Sequence, residues 1–91
     1  MRKIYKYQLT QHGIVYMPEK AKILCLQTQN GEPYIWAEVN PEDNITDRRY
    51  TIFGTGHAIE ESYQGEYIST FQLENGALVF HVYMDSPQEG E

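Results

Sequence analysis

Apolar side chains recur at every second position through much of the chain, which is the period of a strand with one buried face. In residues 3–10, Tyr5, Tyr7 and Leu9 share a face while Lys6 and Gln8 take the other. In residues 33–39, Ile35, Ala37 and Val39 alternate with Tyr34, Trp36 and Glu38. Further strand-like runs occupy residues 14–17, 21–29, 48–53, 66–73 and 77–84. The last is apolar on both faces apart from His81, which predicts a strand with neighbours on either side.

The segments between these runs carry turn chemistry. Asn30-Gly31 tolerates the positive φ angles of a two-residue hairpin, and Glu74-Asn75-Gly76 joins the last two runs in the same manner. Pro18 ends the second run because it lacks an N–H donor. Asn40-Pro41-Glu42-Asp43-Asn44 reads as an exposed loop with at most one turn started by an Asn or Asp cap. Gly54-Thr55-Gly56-His57 interrupts the alternation, and residues 57–65 show no clear period. The spacing predicts an all-β fold, a compact antiparallel β-sandwich or partly open barrel of about six to seven strands. Residues 1–84 form the expected single domain, followed by a flexible acidic tail at 85–91.

Length and charge narrow the classes of function. A chain of 91 residues supports one hydrophobic core, with stability on the order of 5–9 kcal/mol, so assembly into a homo-oligomer is expected. Thirteen acidic against seven basic side chains give a net charge of −6. That charge repels a phosphate backbone, so general nucleic-acid binding is not expected, and it favours a basic protein partner. No apolar run approaches the ~20 residues of a membrane span, and the opening Met1-Arg2-Lys3-Ile4-Tyr5-Lys6 has no signal-like segment. The expected location is the cytoplasm, away from membranes, where the sequon Asn44-Ile45-Thr46 has no role.

The single Cys25 rules out an intrachain disulfide and a cysteine metal cluster, and its apolar setting predicts a buried, inert thiol. His12, His57 and His81 lack the spacing of local metal ligands, so no metal and no cofactor is expected. His81 reads as a core or interface histidine with a backbone partner for its ring, and His12 as a solvated turn residue. The eight tyrosines suit sheet packing, and any left exposed suit protein contact.

The best local candidate for a ligand is the Gly54-Thr55-Gly56-His57 segment with Arg48 and Arg49 upstream. Two glycines let backbone amides converge on an anion, Thr55 and His57 add hydrogen bonds, and the arginines offer bidentate phosphate contacts. The segment lacks the third glycine of a dinucleotide fingerprint and the Gly-Lys-Ser/Thr of a phosphate loop. A bulge or bend at a strand end is the competing reading.

Three stretches together carry a resemblance: Met1-Arg2-Lys3-Ile4-Tyr5-Lys6-Tyr7, Ile52-Phe53-Gly54-Thr55-Gly56-His57, and Tyr67-Ile68-Ser69-Thr70-Phe71-Gln72-Leu73 with Gly76-Ala77-Leu78-Val79-Phe80-His81-Val82. They resemble a family of short proteins of unknown function encoded by bacteriophages and prophages, with the weakest match at residues 13–18 and 60–65. The resemblance implies a phage product acting in a bacterial cytoplasm, and it transfers no catalytic or binding residue. The expected function is therefore that of a non-enzymatic phage accessory protein that binds a host or phage protein, foremost to modulate or inhibit a bacterial host protein. A nucleotide-type small-ligand binder that uses Arg48, Arg49 and residues 54–57 is the alternative, and a small hydrolase is a third reading.

Overall fold

The structure, a computed structural model, describes residues 1–86. Seven strands follow one another: β1 (Lys3–Gln8), β2 (Ile14–Pro18), β3 (Lys22–Gln29), β4 (Glu32–Val39), β5 (Ile45–Gly54), β6 (Gly65–Leu73) and β7 (Leu78–Asp85). One 3-10 turn, Glu74–Gly76, separates the last two. The strands form two antiparallel sheets, β1-β4-β3 and β2-β5-β7-β6, stacked as a sandwich. Along one side β3 and β6 approach each other, but the sheets do not close into a barrel. β7 lies inside the four-stranded sheet, as its two-faced apolar sequence predicts. No helix among the described residues is long and apolar enough to cross a membrane.

One core fills the space between the sheets. Met17, Ile35, Val39 and Val82 are its largest fully buried side chains, joined by Leu9, Val15, Leu26, Ala37, Tyr50, Phe71 and Met84. Each aliphatic side chain so buried stabilises the fold by about 1.5–3 kcal/mol. The hairpins follow their turn residues. Asn30 and Gly31 adopt φ of 53° and 79°, so Gln29 pairs directly with Glu32. The loop after β4 is an Asx turn, in which Asn40 Oδ1 accepts from the Glu42 amide at 3.0 Å.

β1 stops at Gln8, two residues before the run of alternation ends, because the chain there crosses from one sheet to the other. The Tyr50 hydroxyl holds the crossing: it donates to the Thr10 carbonyl at 2.5 Å and accepts from the Thr10 amide at 2.6 Å. Gly13 then takes φ of 76° and receives the Tyr50 amide on its carbonyl at 3.0 Å. A β-carbon on Gly13 would sit 3.1 Å from the Tyr50 carbonyl oxygen, so glycine suits the position twice over.

Two bulges change the pleat. In β3, Ile23 and Cys25 pair with the adjacent Ala37 and Trp36, leaving Leu24 as the extra residue. The expectation of a buried thiol is therefore wrong: the bulge turns Cys25 to the Trp36 face, where it is exposed. In β6, Tyr67 and Ser69 pair with the adjacent Tyr83 and Val82, and the extra Ile68 packs on the core. β7 runs through Asp85, the first residue of the expected tail, and the Ser86 amide donates to the Gln64 carbonyl at 3.1 Å. The remainder of that tail, 87–91, lies outside the described residues.

Candidate functional site

In β7, Val82 and Met84 point into the core, so His81, Tyr83 and Asp85 face outward. Thr51 of β5 pairs with Tyr83, and Phe53 pairs with His81. On the other flank Tyr67 pairs with Tyr83, and Thr70 pairs with His81. Tyr67 and Thr70 are three residues apart and would face opposite ways in a regular strand. The bulge at Ile68 brings both onto the outer face of the four-stranded sheet.

Aromatic rings dominate this face. The Tyr83 centroid lies 5.5 Å from Phe53 and 5.5 Å from Tyr67, and both contacts are edge-on. Tyr63 arrives from the segment between β5 and β6, at 5.4 Å from Phe53 and 5.9 Å from Tyr83. Each such pair is worth about 0.5–1.5 kcal/mol beyond the area it covers. The Tyr63 ring lies against the α-carbon of Gly65, where a β-carbon would collide with it. The Tyr63 hydroxyl donates to Asp85 Oδ1 at 2.6 Å, and Thr51 Oγ1 donates to the same oxygen at 2.8 Å. Burial, and then the hydrogen bond to Asp85, raise the Tyr63 pKa above the ordinary tyrosine value of 10.0.

Beside the rings runs a polar chain. Thr55 Oγ1 is 2.8 Å from His81 Nε2, Thr70 Oγ1 is 2.9 Å from His81 Nδ1, and the Tyr67 hydroxyl is 2.6 Å from Thr70 Oγ1. Thr55 Oγ1 also donates to the Val79 carbonyl at 3.4 Å. For a neutral imidazole one direction satisfies every atom: Tyr67 donates to Thr70, Thr70 to Nδ1, Nε2–H to Thr55, and Thr55 to Val79. His81 is thus half-buried and held by hydroxyls rather than by the backbone partner expected for it.

The outer rim is acidic. Glu60 and Glu61 are exposed in the segment that leads to Tyr63, and Asp85 sits beneath Tyr63, whereas Glu66 pairs with Met84 and leaves the opposite face. Tyr67 itself is 51% exposed, so the cluster is open to contact. Along β2 and the start of β5 the same face continues with Tyr16 and Ile45, each more than 60% exposed.

The residues singled out from the sequence take different places. Arg48 and Arg49 are adjacent in β5, so their side chains leave opposite faces of the sheet. Arg48 is half-buried, and its Nη1 donates to the Ala21 carbonyl at 3.5 Å. Arg49 is exposed, and its Nε lies 3.5 Å from Asp47. Gly54 ends β5 five residues beyond Arg49, about 17 Å along the strand. Two amides of the Gly54-Thr55-Gly56-His57 turn are engaged within the protein, Thr55 N donating to Val79 O at 3.2 Å and His57 N to Gly54 O at 3.0 Å. The His57 ring lies against Gly54, so that glycine makes room for a side chain. Of this set the structure joins only Thr55 to the outer-face network, and the arginines do not converge with the turn.

The sequence assigns the tyrosines to sheet packing, with any left exposed suited to contact, and does not group Tyr63, Tyr67 and Tyr83. The grouping depends on the Ile68 bulge and on Tyr63 folding back over Gly65, and no local pattern announces either one. Elsewhere, a cleft of about 960 Å³ opens at the end of the sandwich between the β3–β4 and β6–β7 hairpins. Leu9, Ile52, Phe71 and Phe80 line it, together with Gln8 and His12.

Residues 1–91 match one protein-family model, described as Domain of unknown function (DUF7352). No curated protein and no solved structure matches the chain.

Proposed function

We propose that this chain, which belongs to the DUF7352 family, is a non-enzymatic binding protein that grips a basic partner protein through the outer face of its four-stranded sheet. The observation that carries this reading is Tyr67, half exposed and backed by Tyr83, in a cluster completed by Phe53 and Tyr63. Exposed aromatics with rigid support are the residues that dominate binding energy at protein interfaces. The Thr55–His81–Thr70–Tyr67 chain fixes the outermost ring before any partner arrives, so little side-chain freedom is lost on association. Glu60 and Glu61 beside the cluster, with a net charge of −6, attract a basic surface and steer its approach.

The resemblance to phage- and prophage-encoded proteins supplies the setting: an accessory protein acting on a host protein in the bacterial cytoplasm. The test is capture from a bacterial extract with the wild-type chain, identification of the retained protein, and titration of that protein with face variants. Tyr67→Ser and the combined Glu60→Lys, Glu61→Lys variant should each weaken binding at least about tenfold. A partner that binds both variants as tightly as the wild type would overturn the reading.

A further inference from the structure

The sandwich leaves four strand edges, and three of them are guarded against pairing with another chain. β3 and β6 lie against each other, and each carries a bulge. β2 has five residues and ends in Pro18, which has no N–H to offer. β1 differs: it pairs with β4 from Lys3 to Gln8 with no register shift, so every second amide and carbonyl points away from β4 along a regular edge.

The side chains along this edge are open. Ile4 is 60% exposed, and Tyr5 is 38% exposed although it faces the core side. Tyr5 and Tyr7 meet edge-on at 6.5 Å, which leaves a shallow aromatic step beside the free backbone. The charge is also distinct from that of the whole protein. Arg2 is paired with Glu38 at 2.5 Å, whereas among the described residues Lys3 and Lys6 have no carboxylate partner. Lysine on an edge ordinarily shields it. Here Lys6 leans inward: its Nζ bonds to Gln29 Oε1 at 2.9 Å and sits 4.8 Å from the Tyr34 ring centroid, so its charge is present while the edge stays uncovered.

We infer that β1 is a docking edge for an extended, acidic segment of another protein, added to the three-stranded sheet as a fourth strand. Backbone hydrogen bonds to β1 hold the segment; on the core-side face apolar side chains lie beside Tyr5 and Tyr7 and a carboxylate beside Lys3, and on the opposite face a second carboxylate lies within reach of Lys6. A second copy of this chain paired antiparallel through β1 in the register that sets Lys3 opposite Lys6 would place like charges across the pair, which an acidic strand avoids. The inference does not depend on the aromatic face, which lies on the other sheet.

The test uses the full chain and a capped peptide with valine at the positions that face Tyr5 and Tyr7 and glutamate at those that face Lys3 and Lys6, beside one control with lysine for glutamate and another with proline at every second position. Amide exchange and chemical shifts are followed residue by residue. The glutamate peptide should protect alternate amides within residues 3–8, and neither control should do so. Lys3→Glu with Lys6→Glu should weaken binding at least about tenfold while the circular dichroism is unchanged. The inference is overturned if the lysine peptide binds equally well, if no β1 amide gains protection, or if shifts fall on Tyr67 and Tyr83 instead. Concentration-dependent protection of β1 without any peptide would also overturn it, because a second copy would then occupy the edge.

Discussion

The Tyr63 ring rests against the α-carbon of Gly65 while its hydroxyl reaches Asp85, the residue that pairs with Gly65 across the sheet. One aromatic side chain thus covers a glycine, caps the strand pair and closes the segment that follows β5. Gly65→Ala places a methyl group in the ring's position, so Tyr63 must swing away. The expected result is a loss of about 1–2 kcal/mol in urea unfolding, the scale of its edge-on contacts with Phe53 and Tyr83. The ring resonances of those two partners should shift in the same variant.

The alternation of side chains made most of this architecture legible. Ile35, Ala37 and Val39 are buried as their spacing requires, the Asn30-Gly31 hairpin forms, and β7 is central. What the alternation does not contain are the interruptions. The Leu24 bulge reverses the facing of Cys25, the Ile68 bulge puts Tyr67 and Thr70 on one side, and Tyr50 ends β1 from forty residues away. A bulge shifts every later side chain to the other face, so one unseen residue undoes a correct period. The separation of Arg48 from Arg49 was legible, since neighbours in a strand point oppositely.

Alkaline pH gives a second test of Tyr63. Its folded-state pKa lies above 10.0, so the native state retains a proton that the unfolded chain gives up first. Its contribution to stability is therefore complete below about pH 10 and is lost as pH rises through the folded value. The difference in unfolding free energy between wild type and Tyr63→Phe should be flat up to about pH 10 and shrink above it. A constant difference across that range would remove the assigned role of burial and Asp85.

The crossover makes a separate prediction. Tyr50→Phe removes both hydrogen bonds to the Thr10 backbone and should destabilise the protein by about 1–3 kcal/mol, read from the urea midpoint at unchanged slope. In the core, Ile35→Ala should cost about 2–5 kcal/mol, which leaves a domain of this size only marginally folded.

Cys25 offers a check on the first bulge. Because the thiol is exposed beside Trp36, it should react with a maleimide in the folded protein at a rate close to that in denaturant, and Cys25→Ser should change stability by less than about 0.5 kcal/mol. Protection of the thiol in the native state would contradict the facing given to β3.

The most direct test of the binding account is the affinity of the captured partner for wild type, for Tyr67→Ser and for a variant altered on the opposite sheet, Trp36→Ser, with circular dichroism as the check on folding. The account predicts at least about a tenfold loss for Tyr67→Ser and an unchanged constant for Trp36→Ser. Equal affinity of Tyr67→Ser and wild type, or a loss confined to Trp36→Ser, would contradict it.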